Sequence, residues 1–133
     1  MVKIDVRAAW LVLLLVAAAA VACDEPGRNI SQAELLAEIE GGSPPFVLDV
    51  RTPEEFARGH VPGAVNVPHT ELPQRLPDLE LPQDRRVVVY CESGRRAGVA
   101  EASLREAGFS QVLHLEGDMA AWRANARPTE EGR

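Results

Sequence analysis

Basic charge, aromatic side chains and cysteine are all scarce in this chain. In its 133 residues Lys and Arg number 14 against 20 Asp and Glu, for a formal net charge of -6, and aromatics make up 5%. No basic stripe interleaved with aromatics is present, which excludes nucleic acid as a partner. The histidines His60, His69 and His114 stand without ligand spacing, so no metal and no cofactor is expected. The cysteines are Cys23 and Cys91. That rules out a disulfide framework and leaves stability to an apolar core, for which about a hundred residues suffice. No internal repeat or low-complexity tract interrupts the chain beyond its alanine-rich start.

Long apolar runs are scarce as well. The run Ala8 to Ala22 falls short of the roughly 20 residues that span a bilayer. It follows a short basic segment containing Lys3 and Arg7 and ends in small residues, which are the parts of a secretory signal. The boundary Ala20-Val21-Ala22-Cys23 resembles the lipobox of bacterial lipoproteins, with leucine replaced by Ala20. In that resemblance Cys23 carries lipid and anchors the protein to a membrane facing the periplasm, and Asp24 slightly favours the inner membrane. Ordinary cleavage after Ala22 and an uncleaved anchor remain open. All three put the domain outside the cytoplasm. Residues 1–22 are read as signal, 23–29 as tether, 30–126 as one domain and 127–133 as a disordered tail.

Along the domain, strand and helix signals alternate. Ser31-Gln32-Ala33-Glu34 and Thr52-Pro53-Glu54-Glu55 are capping boxes that open helices, the second with proline at the first helical position. Strands are expected at Phe46–Val50, Ala64–Val67, Val87–Tyr90 and Gln111–Leu115, with a brief one at Ile30. A helix is expected from about Arg96 to Ala107, with Val99, Ala100, Ala102 and Leu104 inward, and a final helix carries a core Trp122. Alternation of this kind predicts an α/β fold: a mainly parallel sheet of about five short strands with helices on both faces.

The chemistry concentrates at Val87-Val88-Val89-Tyr90-Cys91-Glu92-Ser93-Gly94-Arg95-Arg96. A buried strand ends at a cysteine, a glycine-bearing loop follows, and a helix begins. Loop and first-turn amides lack intrahelical partners and can point at an anion. A thiolate placed there is stabilised by those donors and by nearby arginine. If Cys23 carries lipid, Cys91 has no disulfide partner within the chain and stands as a reactive thiol; a Cys23–Cys91 disulfide is the alternative. Glu92 is an awkward neighbour, since a carboxylate repels both a thiolate and an anionic donor unless it turns outward to solvent.

Three motifs carry a resemblance to the single-domain rhodaneses. They are Leu48-Asp49-Val50-Arg51-Thr52-Pro53-Glu54-Glu55-Phe56 with Gly59-His60-Val61-Pro62-Gly63-Ala64, then Cys91-Glu92-Ser93-Gly94-Arg95-Arg96, then Gly117-Asp118-Met119-Ala120-Ala121-Trp122. The last departs from the family at Asp118, where a second glycine is usual. The resemblance implies a sulfurtransferase in which Cys91 takes sulfane sulfur from thiosulfate or a similar anion as a persulfide. The sulfur then passes to cyanide, a thiol or a protein acceptor. It implies that Glu92, Ser93, Gly94, Arg95 and Arg96 bind the persulfide and donor, with Arg96 orienting the loop or meeting the donor. Asp49 and Arg51 serve as supporting scaffold, and His60 as a histidine satisfying a turn rather than a general base.

Two other readings stand beside it. Tyrosine-phosphatase-like and arsenate-reductase enzymes also set cysteine and arginine around an anion, but with one more residue between them than the Glu92-Ser93-Gly94-Arg95 found here. A membrane-tethered persulfide carrier serving one protein partner is the non-metabolic alternative.

Overall fold

The computed structural model describes residues 28–133. The expected signal 1–22, Cys23 and the tether as far as residue 27 lie outside the described residues. Among the described residues no helix is long and apolar enough to cross a membrane.

The sheet follows from what its strands must bury. β1 (Asn29–Ile30), β2 (Phe46–Asp49), β3 (Val65–Asn66), β4 (Val87–Tyr90) and β5 (Val112–Leu115) lie in the order β1-β5-β4-β2-β3, every pair parallel. β4 is buried along its whole length and sits at the centre. A continuous β-branched run suits a strand covered on both faces. The expected α/β architecture is therefore the one observed.

Alternation along β4 divides the core in two. Val87, Val89 and then Cys91 share one cluster with Leu48, Val50, Leu72, Ala97, Ala100 and Leu104. Its helical layer is α3 (Leu72–Arg75) and α4 (Arg95–Glu106). Val88 and Tyr90 share the other cluster with Leu35, Met119 and Trp122, supplied by α1 (Gln32–Glu40) and α5 (Asp118–Ala124). Strand parity thus assigns Cys91 to the α4 face. α2 (Pro53–Ala57) and a 3-10 turn at Leu76–Leu79 complete the elements, both opened by prolines.

The capping signals act as expected at α2. Thr52 and Glu55 exchange side-chain and backbone hydrogen bonds, with Pro53 opening the helix. At α1 Ser31 accepts from the Glu34 amide at 3.1 Å. Gly117 precedes α5 at φ 74, and a Cβ there would lie 2.5 Å from the Ala121 Cβ. Only glycine fits that approach.

Two expectations are corrected. Val99 and Ala102 do not face inward on α4. Ala97, Ala100, Glu101 and Leu104 are its buried residues, and Val99 is 53% exposed. The stripe runs at i, i+3, i+4 and i+7 from Ala97, so a buried glutamate takes a place that composition gives to an apolar residue. The segment 127–133 is also not a loose tail. His60 and Glu130 exchange backbone hydrogen bonds at 2.9 and 3.0 Å, the Gly132 amide donates to the Ala57 carbonyl at 2.9 Å, and Trp122 Nε1 donates to the Pro128 carbonyl at 2.8 Å. Its backbone groups find partners on the turn after α2, which a polar composition does not reveal.

The phase of α4 is testable by urea unfolding. Leu104→Ala should cost about 2–5 kcal/mol, whereas Val99→Ala should stay within about 0.5 kcal/mol of wild type.

Candidate active site

The carboxyl end of β4 delivers Cys91 to the edge of the sheet where α/β proteins bind ligands. Gly94, at φ 108, turns the chain into α4, and its amide donates to Cys91 Sγ at 3.0 Å. Among the described residues this is the hydrogen bond that the sulfur receives from the loop amides. Cys91 is a free cysteine and only 1% exposed. Ser93 and Arg95, on the stretch that follows, are exposed.

Arg96 does not reach into open solvent. Its Nη1 and Nη2 donate to Glu55 Oε2 and Oε1 at 2.7 and 2.9 Å, a two-point pairing that fixes the guanidinium plane. Glu55 Oε2 also accepts the Thr52 amide at 2.9 Å. The capping box of α2 and the active loop therefore share one carboxylate. These bonds, with Arg96 foremost, pull the Glu55 pKa down to about 2. The Arg96 pKa is raised, chiefly by Glu55 and further by the nearby Cys91 side chain.

Glu92 is turned toward arginine rather than bare solvent. Its carboxylate pairs with the Arg123 guanidinium and lies 3.6 Å from Arg51 Nη1. Behind it, Asp49 and Arg51 form a buried pair at 2.7 Å, and Arg51 also donates to the Gly59 carbonyl at 2.8 Å. The Arg51 guanidinium stands 5.7 Å from the Tyr90 ring centre. The Tyr90 hydroxyl accepts the Val61 amide at 3.1 Å. Asp49 and Arg51 thus tie the strand ends under the loop to the turn after α2. His60 stacks on Phe56 at 3.6 Å and bonds the Phe56 carbonyl through Nδ1 at 2.8 Å. It serves that turn, and its bonded partners are not loop residues.

A second group went unnoticed in the sequence. His114, read there as isolated, bonds Asp118 Oδ2 through Nε2 at 2.8 Å and Glu101 through Nδ1. Its pKa is raised to about 10, first by Asp118 and then by Glu101. Both ring nitrogens face carboxylates, so the charged imidazole donates at each and keeps no lone pair for a metal. Asp118 Oδ1 in turn accepts the Cys91 amide at 3.0 Å. The aspartate in place of the usual glycine was the signal available. A cavity of about 380 Å³ beside the loop is lined by Arg51, Glu55, Arg58, Glu92, Met119 and Arg123, among others.

Comparison with known proteins bears on the family and the fold. A family model described as "Rhodanese-like domain" matches residues 31–125. A sulfurtransferase of Allochromatium vinosum is 42% identical over 83 residues, covering 62% of this chain and 76% of that protein. The probable adenylyltransferase/sulfurtransferase MoeZ of Mycobacterium tuberculosis is 35% identical over 102 residues. That match covers 77% of this chain and 26% of MoeZ, so the chain spans about a quarter of that relative's length. Among solved structures, the Alr3790 protein of Anabaena superposes with a TM-score of 0.70 at 35% identity, covering 77% of this chain and 92% of that one.

The Glu55–Arg96 tether carries a pH signature. Because the Glu55 pKa falls from 4.5 to about 2 on folding, its contribution is complete above about 4.5 and is lost as pH drops through about 2. In urea titrations the stability gap between wild type and Glu55→Gln should be widest near neutral pH and close across that window.

Proposed function

The chain belongs to the rhodanese-like family, and from that premise we propose that it is a sulfurtransferase that carries sulfane sulfur as a persulfide on Cys91. The observation that carries this reading is the Cys91 sulfur at the end of β4, with the Gly94 amide aimed at it from 3.0 Å and the charge of Arg96 beside it. Cysteine suits the task because sulfur both attacks sulfur and leaves from it.

With thiosulfate as donor, the Cys91 thiolate attacks the outer sulfur. A Cys91 S–S bond forms, the S–S bond of thiosulfate breaks, and its electron pair departs with sulfite. The terminal sulfur of the persulfide keeps one negative charge. Cyanide or a thiolate then attacks that sulfur, and the electron pair of the broken bond returns to Cys91. No proton needs to move in either step when cyanide accepts, so a general base is not required. The amide at Gly94 faces Cys91 Sγ, so it favours the thiolate before attack and stabilises the charge that develops on that sulfur when the acceptor displaces it in the second step.

Access sets a constraint. With Cys91 1% exposed, a donor reaches the sulfur when the Ser93–Arg95 stretch gives way while Arg96 stays tied to Glu55. The arginine-lined cavity next to Glu92 gives an anion a place to wait. Asp49 and Arg51 act as scaffold in this reading, and His60 takes no part in the chemistry.

The segment before residue 28 supports a location. The signal-like run and Ala20-Val21-Ala22-Cys23 favour a lipid-anchored protein facing the periplasm of a bacterial cell envelope, with Cys23 as the attachment point.

Two outcomes are expected. Treatment with thiosulfate followed by intact-mass measurement should add one sulfur atom to the wild type and none to Cys91→Ser; sulfur on the serine variant refutes the assignment. On fractionation of expressing cells, the full chain should sediment with membranes and Cys23→Ser should not, and equal membrane association of both refutes the anchor.

A further inference from the structure

The start of α5 holds the main chain at Cys91 by two hydrogen bonds and at Glu92 by a third. Asp118 Oδ1 accepts the Cys91 amide at 3.0 Å. The Met119 amide donates to the Cys91 carbonyl at 3.0 Å, and the Ala120 amide to the Glu92 carbonyl at 3.1 Å. The main chain of Cys91 is thereby bonded on both sides of its Cα.

Asp118 holds this position against its backbone preference. It lies at φ 53 in the left-handed region, where a side chain is disfavoured. It is also 4% exposed. A strained, buried carboxylate persists where its surroundings over-determine it. Here the surroundings are His114 on β5 and, beyond it, Glu101 on α4, which Arg105 Nη1 approaches at 3.6 Å. The group also reaches the loop's turn. A Cβ built on Gly94 would come 3.1 Å from Asp118 Oδ2 and 3.6 Å from the His114 ring. The residue whose amide faces the sulfur therefore turns its Cβ-free side toward the same pair that anchors the cysteine, with no room there for a side chain.

We propose that Asp118, His114 and Glu101 form a positioning chain for the sulfur-accepting loop, in which His114 aims the Asp118 carboxylate at the Cys91 amide and supports Gly94 from below. The proposal rests on Cys91 being the sulfur acceptor. Asp118 and His114 are positioning residues: they act on the main chain of Cys91 and on Gly94, not on the substrate. Releasing them leaves the fold standing, because glycine accepts the same backbone angle at residue 118. It lets the loop drift, which uncovers the sulfur while spoiling its alignment.

That opposite movement of two rates is the test, made on the full chain. Asp118→Gly should lower kcat for thiosulfate–cyanide transfer by about tenfold or more, with KM for thiosulfate within about twofold. The same variant should be alkylated at Cys91 by iodoacetamide about threefold faster or more, because a looser loop exposes the thiol. Its melting temperature should stay within a few degrees of wild type. Asp118→Asn, which keeps an oxygen for the Cys91 amide, should recover part of the lost kcat. His114→Gln reads the device through another bond and should reproduce the split, also standing in if Asp118→Gly folds poorly. Unchanged kcat and alkylation in Asp118→Gly, or in His114→Gln when it stands in, overturns the proposal, as does a parallel fall in both rates together with the melting temperature. If wild type gains no sulfur from thiosulfate, the transferase reading fails on its own, and the alkylation rates still decide whether the chain positions Cys91.

Discussion

The arrangement depends on keeping negative charge away from one sulfur atom in a region crowded with carboxylates. Asp49, Glu55, Glu92 and Asp118 all approach the loop, and each is matched to a cation: Arg51, Arg96, Arg123 and His114 respectively. Asp49 and Asp118 are buried while Glu55 and Glu92 are partly exposed, and any of them left unpaired would oppose a thiolate at Cys91 and repel an anionic donor. Pairing removes the repulsion and also ties distant parts of the chain to the loop. Arg51 reaches the turn at Gly59, Arg96 reaches the cap of α2, and His114 reaches α4 and α5.

These pairs are not chiefly a source of stability. Taking two charges out of water costs about as much as their attraction returns, whereas removing one partner is expensive where it strands a buried charge, as it would for Arg51–Asp49; His114 keeps Glu101 when Asp118 is removed. Their value is geometric. A two-point arginine–carboxylate contact such as Arg96–Glu55 or Arg51–Asp49 admits one orientation, so the loop is hung from fixed points. The apolar clusters on either side of β4 supply the rigidity that makes those points fixed.

Local signals made much of this legible in the sequence. The β-branched run before Cys91 and the Thr52–Glu55 capping box each work over a few neighbouring residues, and each forms as expected; of the loop amides expected to face the sulfur, that of Gly94 donates to it. Contacts that join remote stretches carried no such signal. Glu101 is 13 residues from His114, and nothing in a helix periodicity marks its partner. The same blindness misplaced the inner face of α4, where Glu101 occupies a buried position and Val99 does not. It also misread residues 127–133, whose polar composition conceals backbone bonds to His60 and Ala57.

Asp118 shows how a departure from a family pattern becomes informative. Glycine is the undemanding residue at φ 53, and replacing it with aspartate adds backbone strain and a buried charge. Neither is tolerated for packing alone, since the cluster around Met119 and Trp122 is apolar without it. Both are offset only if the carboxylate finds a donor and a cation, and the Cys91 amide and His114 are those two groups. Where glycine stands at that position, no side-chain oxygen reaches the cysteine amide and an imidazole at residue 114 has no carboxylate there to hold. The strained residue, the charged histidine and the anchored nucleophile are therefore one feature, each accounting for the presence of the other two.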